Sequence, residues 1–471
     1  VTEGRGNPVE LMAVHEELQV VGEMLAKGRP GEAVDRLEIA LAMDPDNLAA
    51  MRDLSRALTM LGRLDEAAAA ASRARSVAPW SVQAAIIEAD VEYRRGRYQQ
   101  TLELLDLALE LDDRSLEARL ERSRCLAALG RSEEARAGLG ELLEEDPDSS
   151  WVVLRHVEIV ELPSEDFATA EQRLRTVLGR NPRFSEAWLL LGTVHMEAGR
   201  PAEAIKVYKQ AIEEGAGGDE IRARLALLLQ EAGDPAAETA LGEAIRSSRT
   251  PQPELFVRLG ELLNAQGRHQ EARHQFELAA ESPAPTAGSM NSKATAMMYL
   301  GREDEAEDLW RELVHTRPDF WRAWLNLATL AVQRQQWTDA EKCARTALDV
   351  EPTSAGAWNN LGIALEELGR TDEAEAAYRQ GAEVDRRDYR SLFNLGILLR
   401  IHSRYEEAEM VQYGVLDRYP AHGGAHFELG ALCAGPLNDP ERAKKHLQAA
   451  IGADPTHPRA QQAQAILARL P

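Results

Sequence analysis

Residues 353–385 read TSAGAWNNLGIALEELGRTDEAEAAYRQGAEVD, and this stretch decides the fold. Trp358, Leu361, Gly362 and Leu365 recur at helical spacing and share one face. Gly369 then breaks the chain, and Ala374, Tyr378 and Gly381 share one face of a second helical run. The stretch therefore reads as two antiparallel helices closed on their apolar sides.

Working outward, the same features return at a fixed interval. Alanine recurs at Ala33, Ala67, Ala135, Ala170, Ala204, Ala272, Ala306, Ala340, Ala374, Ala408 and Ala443, almost always 34, 35 or twice 34 residues apart. Thr101 and Glu238 hold the two missing slots, and Ala237 stands beside Glu238. Glycine follows the same period at Gly28, Gly62, Gly96 and Gly130, then at Gly199, Gly233, Gly267, Gly301 and Gly369. Proline does so at Pro45, Pro79, Pro147, Pro182, Pro318, Pro352, Pro420 and Pro455. Each ladder has a cause. A small alanine lets two helices touch. A glycine past a helix end accepts the left-handed turn that ends it. A proline cannot continue a helix and marks the loop between pairs. A common period across all three means tandem repeats.

The pattern carried by Trp188, Leu191, Gly192, Gly199, Ala204 and Tyr208, and again by Trp358, Leu361, Gly362, Gly369, Ala374 and Tyr378, resembles the tetratricopeptide repeat. The resemblance covers residues 14–455 in about thirteen units, less regular over 215–290. It implies an all-α, right-handed superhelical solenoid of antiparallel helix pairs, with the first helix of each pair lining a concave groove. Residues 1–13 read as a disordered arm leading into the first helix, and residues 456–471 as a C-terminal capping helix. The fifth unit carries one extra residue, expected in the loop ELPSEDF, and the thirteenth carries one in AGPLNDP.

Composition narrows the partners. The chain has 471 residues, 54 basic against 78 acidic, a net charge of −24, and only 5% aromatics. Such acidity repels phosphate backbones and anionic lipid, so neither nucleic acid nor membrane insertion is expected. No apolar run approaches the roughly 18 residues of a membrane span. Cys125, Cys343 and Cys433 are scattered, without zinc spacing, which reads as core thiols in a reducing, cytoplasmic compartment. Because the sequence starts at Val1, a removed signal and a periplasmic location stay open as the alternative.

One row on the first helices points to binding. Asn326, Asn360 and Asn394 are each 34 residues apart, and Glu428 extends the row by the same step. A carboxamide offers a donor and an acceptor, so a row of them suits successive backbone amides of an extended peptide. Asparagine is also common at this position in the family, so the row has a plain reading as well. Asn359, Phe393 and Phe427 lie beside it, with Arg322 and Arg390 nearby as candidate contacts. Leu325 and Thr329 stand where members that clamp carboxylates need Lys and Asn, which argues against that mode. Arg52, Asp53, Arg56, Asp90, Glu117, Glu121 and Arg124 give the N-terminal groove mixed charge, read as a solvated face or a second polar region.

No catalytic signature holds. His15-Glu16-Glu17 lacks a second histidine at metalloprotease spacing, and GAGGDE at 215–220 does not match a phosphate loop. His422 and His426 are four apart, but His422 follows Pro420 in a loop and reads as a surface residue. Trp310, Trp321, Trp324 and Trp337 read mostly as packing. The expectation is a non-catalytic scaffold without cofactor or metal, holding a protein or extended peptide segment. The alternatives are a scaffold that assembles with copies of itself, or the repeat arm of an envelope-export or glycosyltransferase-type system.

Overall fold

A computed structural model describes residues 17–25, 29–248, 250–385, 388–453 and 458–470. The expected N-terminal arm, residues 1–13, lies outside the described residues. Every regular element among the described residues is a helix. The chain divides into two compact units, Val1–Ala296 and Met297–Pro471, and the border falls inside the Ala287–Tyr299 helix.

The 34-residue period follows from the local chemistry. In the second unit, Trp321–Gln333 has 13 residues and Trp337–Val350 has 14. A short turn joins them, and a proline loop leads on to Ala355–Glu367. Ser354 opens that helix by accepting a hydrogen bond from the Ala357 amide. Asn47, Ser81 and Ser115 do the same for their helices in the first unit. At the other end Gly369 turns left-handed at φ 75°, and the Arg370 amide donates to the Leu365 carbonyl at 2.8 Å. The glycine ladder is therefore a ladder of conformation. It continues where glycine is absent, at Glu165, Gln335, Ser403 and Asn438, with φ of 58°, 58°, 61° and 50°.

The alanine ladder is the seam of each pair, and Ala204, Ala306, Ala340, Ala374 and Ala408 are fully buried. Ala237 is buried where Glu238 faces Arg268 at 2.7 Å, so the alanine fills that irregular slot. A second seam pairs a glycine with an aromatic sixteen residues on. A Cβ on Gly192 would sit 2.2 Å from the Tyr208 ring, and one on Gly362 would sit 2.4 Å from Tyr378. Both tyrosines are buried, and Tyr378 donates its hydroxyl to Glu366 at 2.8 Å. Burial raises the pKa of both Tyr378 and Glu366. Of the four clustered tryptophans only Trp310 is fully buried, and the others are half-buried.

In each unit, first helices of consecutive repeats touch one another, as Trp321–Gln333, Ala355–Glu367 and Arg390–Ile401 do, while second helices stay further apart. The closer layer is the inner one. The outer layer is tied by charge. Glu307, Glu341, Glu375 and Glu409 recur every 34 residues on the second helices of the second unit. An arginine of the following repeat reaches each, from the turn in three cases and from the start of the second helix in the fourth: Arg334 to Glu307 at 2.5 Å, Arg370 to Glu341 at 2.7 Å, Arg404 to Glu375 at 2.5 Å, and Arg442 to Glu409. Arg370 and Arg404 also grip Glu373 and Glu407 at the start of their own second helices, at 2.6 and 2.7 Å.

One expectation about register is corrected. The extra residue of the fifth unit is taken up inside its first helix. After Ser150–His156 the chain makes a π turn over Val157–Glu161, where the Leu162 amide donates to Val157 five residues back at 3.0 Å. The wider turn directs the buried Glu161 carboxylate onto His156 and Arg173, at 3.0 and 2.9 Å.

Candidate functional site

The first helices of the second unit carry the asparagine row. Asn360 donates one Nδ2 hydrogen to the Thr329 hydroxyl at 2.8 Å, and that hydroxyl donates onward to the Leu325 carbonyl at 2.9 Å. Asn394 donates to the Asn359 side-chain oxygen at 2.9 Å. Each of these two carboxamides is thus fixed by the repeat before it. By valence, each keeps its second amide hydrogen and its oxygen for another partner. Asn326 and Asn394 are half-buried, and Asn360 is 7% exposed, so the row is recessed between helices. These bonds fix the orientation of the two amides.

Glu428 occupies the next slot but not the same role. Its carboxylate is buried and meets Arg400 at 2.8 Å and Arg459 at 3.9 Å. Phe393 and Phe427 gather with it. The Arg459 guanidinium lies over both rings, 5.4 and 5.7 Å from their centroids, and His422 meets Phe393 edge-on at 4.8 Å. Arg459 belongs to the Pro458–Leu467 helix, whose Ala460 and Ala463 are buried. That approach depends on Gly424, where a Cβ would sit 3.0 Å from both Arg459 and Phe393. A cleft of about 470 Å³ lies here, walled by Phe393, Tyr419, His422 and Arg459. Arg390 is exposed and holds Asp388 at 2.8 Å, and Arg322 is exposed and lies over the Trp321 ring at 4.7 Å.

The predicted residues therefore fall into two groups. Asn326, Asn360 and Asn394, with Asn359, form a row on the inner helices. Phe393, Phe427 and Glu428 surround Arg459 of the chain's own last described helix. Sequence reasoning missed Arg400 and Arg459, and it read Thr329 only as evidence against a carboxylate clamp, not as the partner of Asn360. Thr329 had a signal, since it stands one helical turn after Asn326. Arg459 had none, because it lies outside the repeat pattern.

In the first unit the mixed charges close on one another. Arg124 meets Glu121 at 2.6 Å and reaches back to Asp90 at 3.3 Å. Arg155 meets Glu158 at 2.6 Å and reaches back to Glu121 at 3.2 Å. Arg124 also lies over the Tyr93 ring at 4.1 Å. Three repeats are stitched along their inner face, which leaves little net charge there for a partner.

Among the described residues no group of three or more His, Cys, Asp or Glu side chains is arranged to hold a metal ion. His422 is an N-cap, accepting the Ala425 amide at 2.9 Å, while His426 turns to Pro420 and His446. Burial raises the pKa of all three cysteines. No helix among the described residues is long and apolar enough to cross a membrane.

Tetratricopeptide repeat family models match the sequence along most of its length. One covers residues 161–219, 224–288, 292–335, 325–383 and 361–423, and another covers 24–86 and 93–152. No curated protein matches the chain. Among solved structures, the APC/C hetero-tetramer Cut9-Hcn1 is similar at TM-score 0.52 and 14% identity, over 95% of each chain. Yeast Tom70 aligns at TM-score 0.42 and 14% identity, over 98% of this chain and 96% of that one. The first likeness speaks for the fold.

Proposed function

This chain belongs to the tetratricopeptide repeat family, and from that premise we propose that it is a non-catalytic scaffold holding an extended polypeptide segment along the inner helices of its second unit. The observation that carries the proposal is the pairing of Asn360 with Thr329 and of Asn394 with Asn359. Each bond orients a carboxamide and leaves it one donor and one acceptor, the complement of a peptide group. Grip of this kind reads main chain, so it tolerates varied side chains. The net charge of −24 favours neutral or basic segments over acidic ones.

The test is to replace Asn326, Asn360 and Asn394 together by Ala and capture partners from the source cell with both forms. Each lost bond is worth about 0.5–1.5 kcal/mol, so binding weakens by roughly ten-fold or more. Far-UV circular dichroism must stay unchanged. Recovery of the same partners in undiminished yield by a folded triple variant defeats the proposal.

A further inference from the structure

The asparagine row leads to a site that the chain fills with one of its own side chains. One 34-residue step beyond Asn394 stands Glu428, 4% exposed, with Phe427 beside it in sequence and Phe393 one repeat back. Glu428 Oε2 accepts from Arg400, and its Oε1 lies 3.9 Å from Arg459 Nη1. The Arg459 guanidinium lies over both phenyl rings, so it spans two first helices, Arg390–Ile401 and Gly423–Ala434. Two ring faces and a recessed carboxylate oxygen are the complement of a guanidinium, which is planar, weakly hydrated and always charged.

Two features leave this site reachable. Gly424 carries no side chain to cover the Phe393 ring, and a Cβ there would stand 3.0 Å from both that ring and Arg459. The adjoining cleft of about 470 Å³ is lined by small residues, Gly423, Ala450 and Ala453, as well as by Tyr419 and His422.

The present occupant is lightly anchored. The fully buried residues of the Pro458–Leu467 helix are Ala460 and Ala463, whereas Gly423–Ala434 buries Leu429, Leu432 and Cys433. Burying two methyl groups stabilises far less than burying leucines. The helix that carries Arg459 therefore sits at the low-stability end of the unit, where local opening costs least.

We propose that Phe393, Phe427 and Glu428 form a subsite for an arginine side chain of the bound partner, and that Arg459 is a built-in competitor which holds the subsite until the partner's arginine displaces the last helix. The proposal deepens the peptide reading above and rests on it for the origin of the ligand. A segment gripped along Asn326, Asn360 and Asn394 brings a side chain to the Glu428 slot, and the net charge of −24 favours a cationic one. The competitor lowers apparent affinity by the fraction of time the subsite is open. Segments without arginine at that end cannot recover the loss, so the competitor adds specificity to a grip that otherwise reads main chain.

The test uses the full chain and two small probes, N-acetylarginine methylamide and its citrulline counterpart, which keeps the shape and loses the charge. Binding is read by saturation-transfer NMR. Arg459→Ala should bind the arginine probe about ten-fold more tightly than the wild type does, and should prefer it to the citrulline probe. Adding Glu428→Gln should remove the gain. In the wild type, hydrogen exchange of amides 458–467 should quicken as the arginine probe is added, while amides of Gly423–Ala434 stay protected. That measurement needs no variant, so it decides if a variant does not fold. Equal binding of the arginine probe by wild type and Arg459→Ala, no binding by either, no preference over citrulline, or a gain that survives Glu428→Gln overturns the subsite. Exchange at 458–467 that stays unchanged as the probe saturates the wild type overturns the competitor. Both probes are too short to use the asparagine row, so the Asn326, Asn360 and Asn394 triple variant should bind them as the wild type does. Failure of the peptide grip is thus read separately, in the capture experiment.

Discussion

Trp358 donates its indole N–H to the Pro352 carbonyl at 2.9 Å, six residues back across the loop between repeats. Trp188 and Pro182, and Trp324 and Pro318, stand in the same relation at 2.8 and 3.0 Å. His426 repeats it with Pro420. The aromatic at this slot therefore fastens the proline loop as well as packing. Trp358→Phe keeps a ring and loses the donor. It should lower stability by about 0.5–1.5 kcal/mol, read from the urea midpoint. An unshifted midpoint would mean that the loop holds without the bond.

Gly362→Ala should be costly although alanine favours helix. The new Cβ would lie 2.4 Å from the Tyr378 ring, which is buried and tethered to Glu366. Overpacking of about 1–3 kcal/mol outweighs a propensity gain of about 1 kcal/mol. Gly140→Ala is the control. Nothing lies within 4 Å of the point where its methyl group would stand, so the propensity gain should appear as a higher melting temperature.

Ser403→Gly should stabilise the second unit. Ser403 holds φ 61° in the slot that Gly369 fills one repeat earlier, and an L side chain there costs up to about 1 kcal/mol. Thermal melting should shift upward, with a like effect for Gln335→Gly. No shift in either variant would mean that local hydrogen bonds offset the strain.

The arginine ties predict a salt signature. Arg404 bridges Glu375 of one repeat and Glu407 of its own, and its hydrogen bond to Glu407 holds that carboxyl below the usual range. Arg404→Gln should destabilise at low ionic strength, and the difference from the wild type should shrink in high salt because exposed ion pairs are screened. A difference that persists unchanged in high salt would point to packing by the arginine stem instead.

The fold was legible because three residue types obey one period for three separate steric reasons. Alanine at a seam, glycine at a left-handed turn and proline in a loop each leave a mark that needs no tertiary information. Where the mark was missing, at Gln335 and Ser403, the backbone kept the conformation that the chemistry alone did not announce. The glutamate ladder Glu307, Glu341, Glu375 and Glu409 was equally periodic, one residue after the alanines, yet an acidic surface hides it among other carboxylates. The candidate site was legible only in part. The spacing of Asn326, Asn360 and Asn394 puts them in a row, but which atom bonds to which depends on helix-to-helix distance. Glu428 shared their spacing and still went to Arg400 and Arg459, because a charge recessed among helices is drawn to the nearest guanidinium.

In the second unit a second helix is tied to the repeat that follows it largely by ion pairs, while each helix pair closes on small apolar side chains, and this gives the unit the makeup of a composite spring. Bending that spreads the outer layer works against Arg334, Arg370, Arg404 and Arg442, long side chains held by half-buried glutamates and able to let go one at a time. The inner seams, built on alanine and glycine, have no slack to give. Compliance therefore resides on the outside, and the stiffness of the unit becomes an elastic quantity set by the ionic medium.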